Sequence, residues 1–403
     1  MQPIVITGAG VISAIGVGKE QTLKSLLAHK TGIEKVKYLQ TEHKEMLTGE
    51  VKLSNAEMLD VLGLSPETPH IRTALLGMIA AKEAIAQAGL DAEDISNSAF
   101  ISGTTVGGMD KSEQFYLDFM KQEIAGGENT KYIDYHDCGA SSTIIADYCG
   151  KFAFVTSIST ACSSAANAFI LGASLIESGE YDKVVVGGAE CLSKFHLNGF
   201  NSLMILDSEP CRPFDATRAG LNLGEGAAYL VLETEESAKN RGAKALAYLK
   251  GCGNACDAFH QTASSEDGEG AYLAMKEALE TAKMQPSDID YINSHGTGTP
   301  NNDPSECEAM RRLFGNTIPP FSSTKGFTGH TTSASGSIEA VLSLLALENQ
   351  FLPVSLNWNN PIAEDCIPVT TDTEKPVKEI NNILCNAFGF GGNDSSILLS
   401  KKL

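Results

Sequence analysis

The order of the apolar runs constrains this chain most: short β-rich stretches alternate with stretches of helix-type apolar spacing along its length. Strand-type runs cover 4–7, 98–102, 152–158, 183–189, 227–233, 291–294 and 383–386, and helical spacing covers 71–88, 162–178, 271–282 and 337–350. This alternation predicts an α/β fold of mostly parallel strands covered by helices. The helix starting at Cys162 is small and apolar nearly all round (Ala165, Ala166, Ala168, Phe169, Ile170, Leu171, Ala173, Leu175, Ile176), which places it in the interior. A weak echo relates 152–178 to 321–347, each a strand leading through a small-residue loop into an apolar helix. It hints at duplication about residue 250, with halves 1–250 and 251–403.

Composition narrows the function. The 403 residues carry a formal charge of −20, with 30 basic against 50 acidic side chains. Phosphate backbones need clustered Lys and Arg, so nucleic acid is not an expected partner. No run approaches the roughly 20 apolar residues of a membrane span, and the first residues read as a strand rather than a signal peptide. The ten cysteines include no CxxC pair, the nearest two being Cys252 and Cys256, so neither a disulfide framework nor a zinc site is indicated. Mostly free thiols and a cytoplasmic location are expected. Gly8-Ala9-Gly10 follows the first strand, but Ser13 stands where a dinucleotide fingerprint has its third glycine.

Four segments place reactive side chains in Gly/Ser/Thr-rich turns after apolar strands, where sites of α/β proteins assemble. In the first, Ser159–Ala165, Cys162 stands where a strand gives way to a helix, and the helix start is expected to lower the thiol pKa below about 8.5 and make it a nucleophile. A buried structural cysteine is the alternative. The others are Asn293–Pro300 with His295, Ser322–His330 with Lys325, and Asn386–Asn393 with four glycine or phenylalanine positions from Gly389 to Gly392. Taken singly, His295 also reads as a loop histidine, Lys325 as a solvated lysine and the glycines as a tight turn. Together with an elbow cysteine they point to one site.

In this order and spacing the segments resemble the β-ketoacyl-[acyl-carrier-protein] synthases of the thiolase superfamily, closest to the elongating type. The likeness runs from Pro3 to Leu399 and includes Gly187-Gly188-Ala189-Glu190, Cys211-Arg212-Pro213-Phe214-Asp215 and Gly224-Glu225-Gly226-Ala227. It implies a five-layered αβαβα fold with two pseudo-symmetric halves. It also implies a decarboxylative Claisen condensation in which Cys162 holds the acyl chain while His295 and His330 stabilise the malonyl-derived enolate. The backbone at Phe390 completes the oxyanion hole, with Phe390 also the gate and Gly391 allowing close approach. Thr297 and Thr299 match hydroxyls that hold the pantetheine arm, while Val106, Phe200 and Phe388 match acyl-pocket positions. Lys325, Glu339, Asp303 and Glu306 match the supporting shell, and Asn293, Glu306 and Glu339 match positions around a structural monovalent cation in some relatives. The resemblance implies no required metal or organic cofactor. Acyl carrier protein is the implied partner, and the implied assembly is a homodimer or a heterodimer with a related subunit.

The chain departs from the family pattern in places. Arg218-Ala219-Gly220-Leu221 has Leu where an aromatic is usual, Asn301-Asn302 replaces a small pair, and Met204 aligns with a carrier-docking arginine. These changes bear on chain length and substrate class, leaving fatty-acid elongation and a polyene or polyketide pathway both open. Two other readings are weighed. A non-catalytic chain-length subunit lacks the elbow cysteine, and a thiolase carries a C-terminal Cys-Gly, whereas Cys385 here precedes the Gly-rich loop.

Overall fold

The computed structural model describes residues 3–120, 128–315, 317–370 and 379–402. Its main strands are β1 (Ile4–Ser13), β2 (Ala99–Gly103), β3 (Phe154–Ile158), β4 (Lys183–Glu190), β5 (Gly226–Thr234), β6 (Ala247–Cys256), β7 (Tyr291–Asn293), β8 (Phe321–Ser322), β9 (Asn382–Gly389) and β10 (Asn393–Ser400). They hydrogen-bond in the order β8-β7-β9-β10-β6-β1-β5-β4-β2-β3. From its two ends inward this path reads β3-β2-β4-β5-β1 and β8-β7-β9-β10-β6, so the second set repeats the first with every label raised by five. The outer pairs are parallel and the inner ones antiparallel in both sets. β1 and β6 join the sets antiparallel, Ile4 opposite Leu249.

The expectation of mostly parallel strands is therefore corrected: only the outer pairs of each set are parallel. The apolar pattern showed β1, β4 and β5 but not that they pair antiparallel, and it did not reveal β6 and β10, which are antiparallel to all their partners. In β6 the pattern is broken by Gly251 and Gly253, where a Cβ would come within 2.1 Å of Ala278 O and Ala274 O respectively. The glycines let a helix lie flush on the strand. Gly8 and Gly10 do the same for Ala84 O and Ala80 O, each also at 2.1 Å. They lie inside β1, which runs on to Ser13 rather than ending at Thr7.

The helices that matter to the site are α1 (Arg72–Ala88), α2 (Ser164–Glu177), α3 (Lys194–Ser202), α4 (Glu269–Ala282), α5 (Asn302–Phe314) and α6 (Ser335–Asn349). Strand side chains alternate between layers, as the two-residue period demands. From β5, Ala228, Leu230 and Leu232 point into a central core with α2 and α6, while Ala227, Tyr229 and Val231 face α1. From β9 and β10, Ile383, Cys385, Ile397 and Leu399 face the same centre, while Leu384 and Leu398 face α4 and α5. The result is five layers, αβαβα. Every residue of α6 from Ser335 to Leu347 is buried, and a Cβ at Gly336 would lie 2.9 Å from Ala166 N, so α2 and α6 touch backbone to backbone.

The expected division at residue 250 falls within β6. Cys307 and Cys366, 59 residues apart, are disulfide-bonded, which no local spacing foretold, and the other eight cysteines are free thiols. No described helix is long and apolar enough to cross a membrane.

Candidate active site

Cys162 sits between the end of β3 and the start of α2, in a turn where Ala161 has φ +52°. That left-handed conformation is costly for a residue with a Cβ and persists only where surroundings enforce it. Here the one Ser163 Oγ proton is shared between Thr160 O at 2.7 Å and Asn393 Oδ1 at 2.8 Å, and Ser164 Oγ donates to Ala161 O at 2.6 Å. The turn aims the buried thiol at the second set of strands. Burial pushes the thiol pKa up to about 11, against the Lys325 ammonium and the backbone N–H groups of Phe390 and Cys162, which pull it down. The expected depressed pKa is thus overturned: for a buried thiol desolvation outweighs a helix start that begins only after the cysteine.

Two loops of the second set meet it. His295 follows β7, and its backbone N–H and that of Gly296 each donate to Glu306 in α5 at 2.8 Å. Asp303, one turn earlier in α5, accepts from Phe214 N at 2.7 Å and Gly298 N at 3.1 Å, fixing the rest of the loop. His330 follows β8 and is pinned by its backbone, donating to Asn222 O at 2.7 Å and accepting from Gly224 N at 2.9 Å. Its Nε2 lies 3.1 Å from Cys162 Sγ and its Nδ1 3.0 Å from Ser335 Oγ. The sulfur and one nitrogen from each ring all lie within 4.8 Å of one another, and the two rings meet edge to face at 5.3 Å.

Lys325 is buried to 1% exposure. Its Nζ donates to His295 O at 2.5 Å and to Glu339 Oε1 at 2.5 Å, and stands 3.4 Å from His295 Nδ1. Burial, the Lys325 charge and the neighbouring His330 hold the His295 pKa well below its ordinary value, and burial, Lys325 and His196 do the same for His330. Both imidazoles are neutral at physiological pH, so each has one N–H and one lone pair. Burial pushes the Glu339 carboxyl up to about 7 despite the lysine.

A cavity of about 240 Å³ runs from the surface to this cluster, lined by Cys162, His295, Thr297, Thr299, His330, Phe388, Phe390 and Gly391. Thr297 and Thr299 share a hydrogen bond of 2.8 Å. Phe388 packs on His295 at 5.7 Å, and Phe390 stacks on Phe200 at 5.8 Å. Phe200 thus reaches the site through Phe390, whereas Val106, buried in the loop after β2, is off the cavity lining. Leu221, Asn301 and Asn302 line the cavity, and Met204 stands at its mouth, 87% exposed. Cys385 is in β9, off the cavity, with Sγ bonded to Ser343 Oγ at 3.0 Å. The sequence did not reveal Ser335 as partner of His330, or Asn386, whose Nδ2 donates to Glu306 at 3.1 Å. The only signal was position: Ser335 opens the helix five residues after the histidine, and Asn386 is in the Gly-rich segment.

Residues 1–238 match the family model of the β-ketoacyl synthase N-terminal domain, and 246–359 match that of the C-terminal domain. The chain belongs to the β-ketoacyl synthase family. As a β-ketoacyl synthase it is an acyltransferase. It is 33% identical to 3-oxoacyl-[acyl-carrier-protein] synthase 1 of Haemophilus influenzae, over 100% of this chain and 99% of the relative. Among solved structures, the ishigamide ketosynthase/chain length factor is similar with a TM-score of 0.90 and 29% identity, covering 100% of both chains. A ketosynthase in complex with its chain length factor from Xenorhabdus doucetiae has a TM-score of 0.85 and 31% identity, covering 99% of this chain and 98% of the other.

Proposed function

We propose that this β-ketoacyl synthase condenses malonyl and acyl groups delivered by acyl carrier protein, with the acyl chain held on Cys162. The observation that carries the reading is the convergence of Cys162 Sγ with one nitrogen of His295 and one of His330 at the foot of one cavity. In the first half-reaction the sulfur bonds to the thioester carbonyl carbon and the carrier thiol leaves. A thiol of pKa about 11 stores little thiolate, so its proton departs with the attack. His330 Nε2 is the acceptor within reach and returns the proton to the leaving sulfur. The tetrahedral oxyanion is held by the N–H groups of Cys162 and Phe390.

In the second half-reaction the malonyl C–C bond to its carboxylate breaks and CO₂ leaves. The electron pair forms an enolate whose oxygen accepts from the Nε2–H groups of His295 and His330. Neutral imidazoles suit this role, and the low pKa of each secures them. The Lys325 ammonium near His295 Nδ1 leaves the proton on Nε2, while the Ser335 hydroxyl can donate to or accept from His330 Nδ1, serving both tautomers. The enolate carbon then bonds to the acyl carbonyl and the C–S bond breaks, returning the sulfur. The released thiolate takes up one proton from solvent to restore the thiol, and every other step uses groups of this chain and the two thioesters. Thr297 and Thr299 sit where the pantetheine arm would enter.

A monovalent cation fits beside this machinery. Asn293 Oδ1 and Glu339 Oε2 are buried with no hydrogen-bond partner among the described residues, whereas both Glu306 oxygens already accept N–H groups. The fit rests on Asn293 and Glu339, and such an ion would offset the carboxylate charge there. The assembly is a dimer: β3 ends the sheet path with Phe154 40% exposed, an open edge for a second copy or a chain length factor. The pathway is fatty-acid elongation, with a polyene or polyketide pathway as the second reading, favoured by the two ketosynthase structures paired with chain length factors. Incubation with acyl- and malonyl-carrier protein should release CO₂, form the 3-oxoacyl carrier and leave an acyl mass on Cys162. Cleavage of acetoacetyl-CoA without carrier-dependent CO₂ release would establish a thiolase instead.

A further inference from the structure

We infer that Asn393 is a positioning residue for acyl transfer: its carboxamide oxygen ties the Cys162 elbow to the Phe390 turn so that two backbone N–H groups converge on one carbonyl oxygen. The inference rests on the acyl-transfer reading of Cys162. Asn393 opens β10 directly after Gly391 and Gly392, which have φ +84° and +78°, and pairs opposite Gly389. Its Oδ1 accepts from three elements: Ser163 Oγ at 2.8 Å from the elbow, Asn167 Nδ2 at 2.7 Å from α2 and Asn254 Nδ2 at 3.1 Å from β6. The donors are themselves tied down. Asn167 Nδ2 also reaches Thr160 Oγ1 at 2.9 Å, and Asn254 Nδ2 reaches Ser395 Oγ at 2.9 Å.

Ser163 is the residue after the nucleophile, so its bond to Asn393 acts one residue from the reacting sulfur. The elbow and the turn are pressed together there, since a Cβ at Gly389 would stand 2.8 Å from Thr160 O and 3.2 Å from Ser163 Oγ. The Phe390 N–H is already directed at the Cys162 sulfur. An oxyanion hole needs both donors within about 2.7–3.1 Å of one oxygen. Its two donors here come from opposite sets of strands, and the Asn393 carboxamide links the segments that carry them, with Asn167 Oδ1 bonded to Asn254 and Ser395 behind it.

The test separates acylation, which uses the oxyanion hole, from malonyl decarboxylation, which draws on the histidines. In Asn393→Ala, single-turnover acylation of Cys162 by an acyl-carrier thioester is expected to slow about 10²-fold, as a misplacement of about 1 Å costs. The loss falls on kcat rather than KM, and malonyl-carrier decarboxylation by the same unacylated protein stays within about threefold of the parent, which also shows that the variant is folded. Asn393→Asp keeps the acceptor oxygen and is expected to recover most of the acylation rate. Acylation at the parent rate in Asn393→Ala, an equal fall in both reactions, or no recovery in Asn393→Asp would each overturn the role. A parent protein that forms no acyl adduct would overturn the reading of Cys162, and this inference with it.

Discussion

The two sets of strands share order, pairing and even their closest contacts, yet they supply different chemistry. Gly8 and Gly10 of β1 seat α1, and Gly251 and Gly253 of β6 seat α4, through the same kind of backbone approach. After β3 the chain turns through Cys162 into α2; after β8, the corresponding strand, it passes Lys325 and His330 into α6. After β2 comes the loop with Val106, and after β7 the loop with His295, Thr297 and Thr299. The scaffold repeats while the strand ends diverge. One set furnishes the buried thiol, the other the imidazoles, the lysine and the Phe390 turn.

The sharpest test of this division removes the first set's contribution. Cys162→Ala should abolish acyl transfer, a loss of at least about 10³-fold seen as absence of the acyl adduct by intact mass; persisting adduct would move the nucleophile elsewhere. On the other side, His295→Ala and His330→Ala should each cut condensation about 10²- to 10³-fold, measured as 3-oxoacyl carrier formed. Near-normal turnover in either would remove that ring from the enolate site. Lys325→Met leaves Glu339 buried and unpaired and should lower unfolding free energy by about 3–5 kcal/mol, with Lys325→Met/Glu339→Leu recovering much of it. Denaturant unfolding checks this, and a double variant no more stable than the single one would refute the pairing.

The smallest effect concerns protonation. Because burial raises the Cys162 thiol pKa to about 11, alkylation of the Cys162 peptide by iodoacetamide should rise about tenfold per pH unit from pH 7 to 10. A plateau reached by pH 8 would mean a stored thiolate and would undo the coupled proton transfer to His330.

Much of the site could be read from the chain because it lies where apolar strands stop and Gly, Ser and Thr begin, a local signal that needs no partner. Cys162, His295, Lys325 and His330 all stand at such junctions. What local pattern cannot carry is the balance of burial against charge, and so the thiol was expected to be acidic. The glycine-interrupted β6 was missed because Gly251 and Gly253 answer to a helix some 20 residues away rather than to strand propensity. Ser335, Asn386 and Asn393 are ordinary polar residues whose roles exist only through contacts between segments far apart in sequence. Val106 shows the converse, a position matched by resemblance that lies outside the cavity in this chain.

The backbone contact of Gly336 with Ala166 bears on how such a scaffold can be retailored. With no slack between the paired central helices, deepening the chamber by enlarging or shrinking residues on that seam would splay the very starts from which the sulfur and the imidazole project. Accommodation of longer or bulkier cargo is left to the periphery, at Met204 and Asn301 on the rim, where side chains can change without moving the floor.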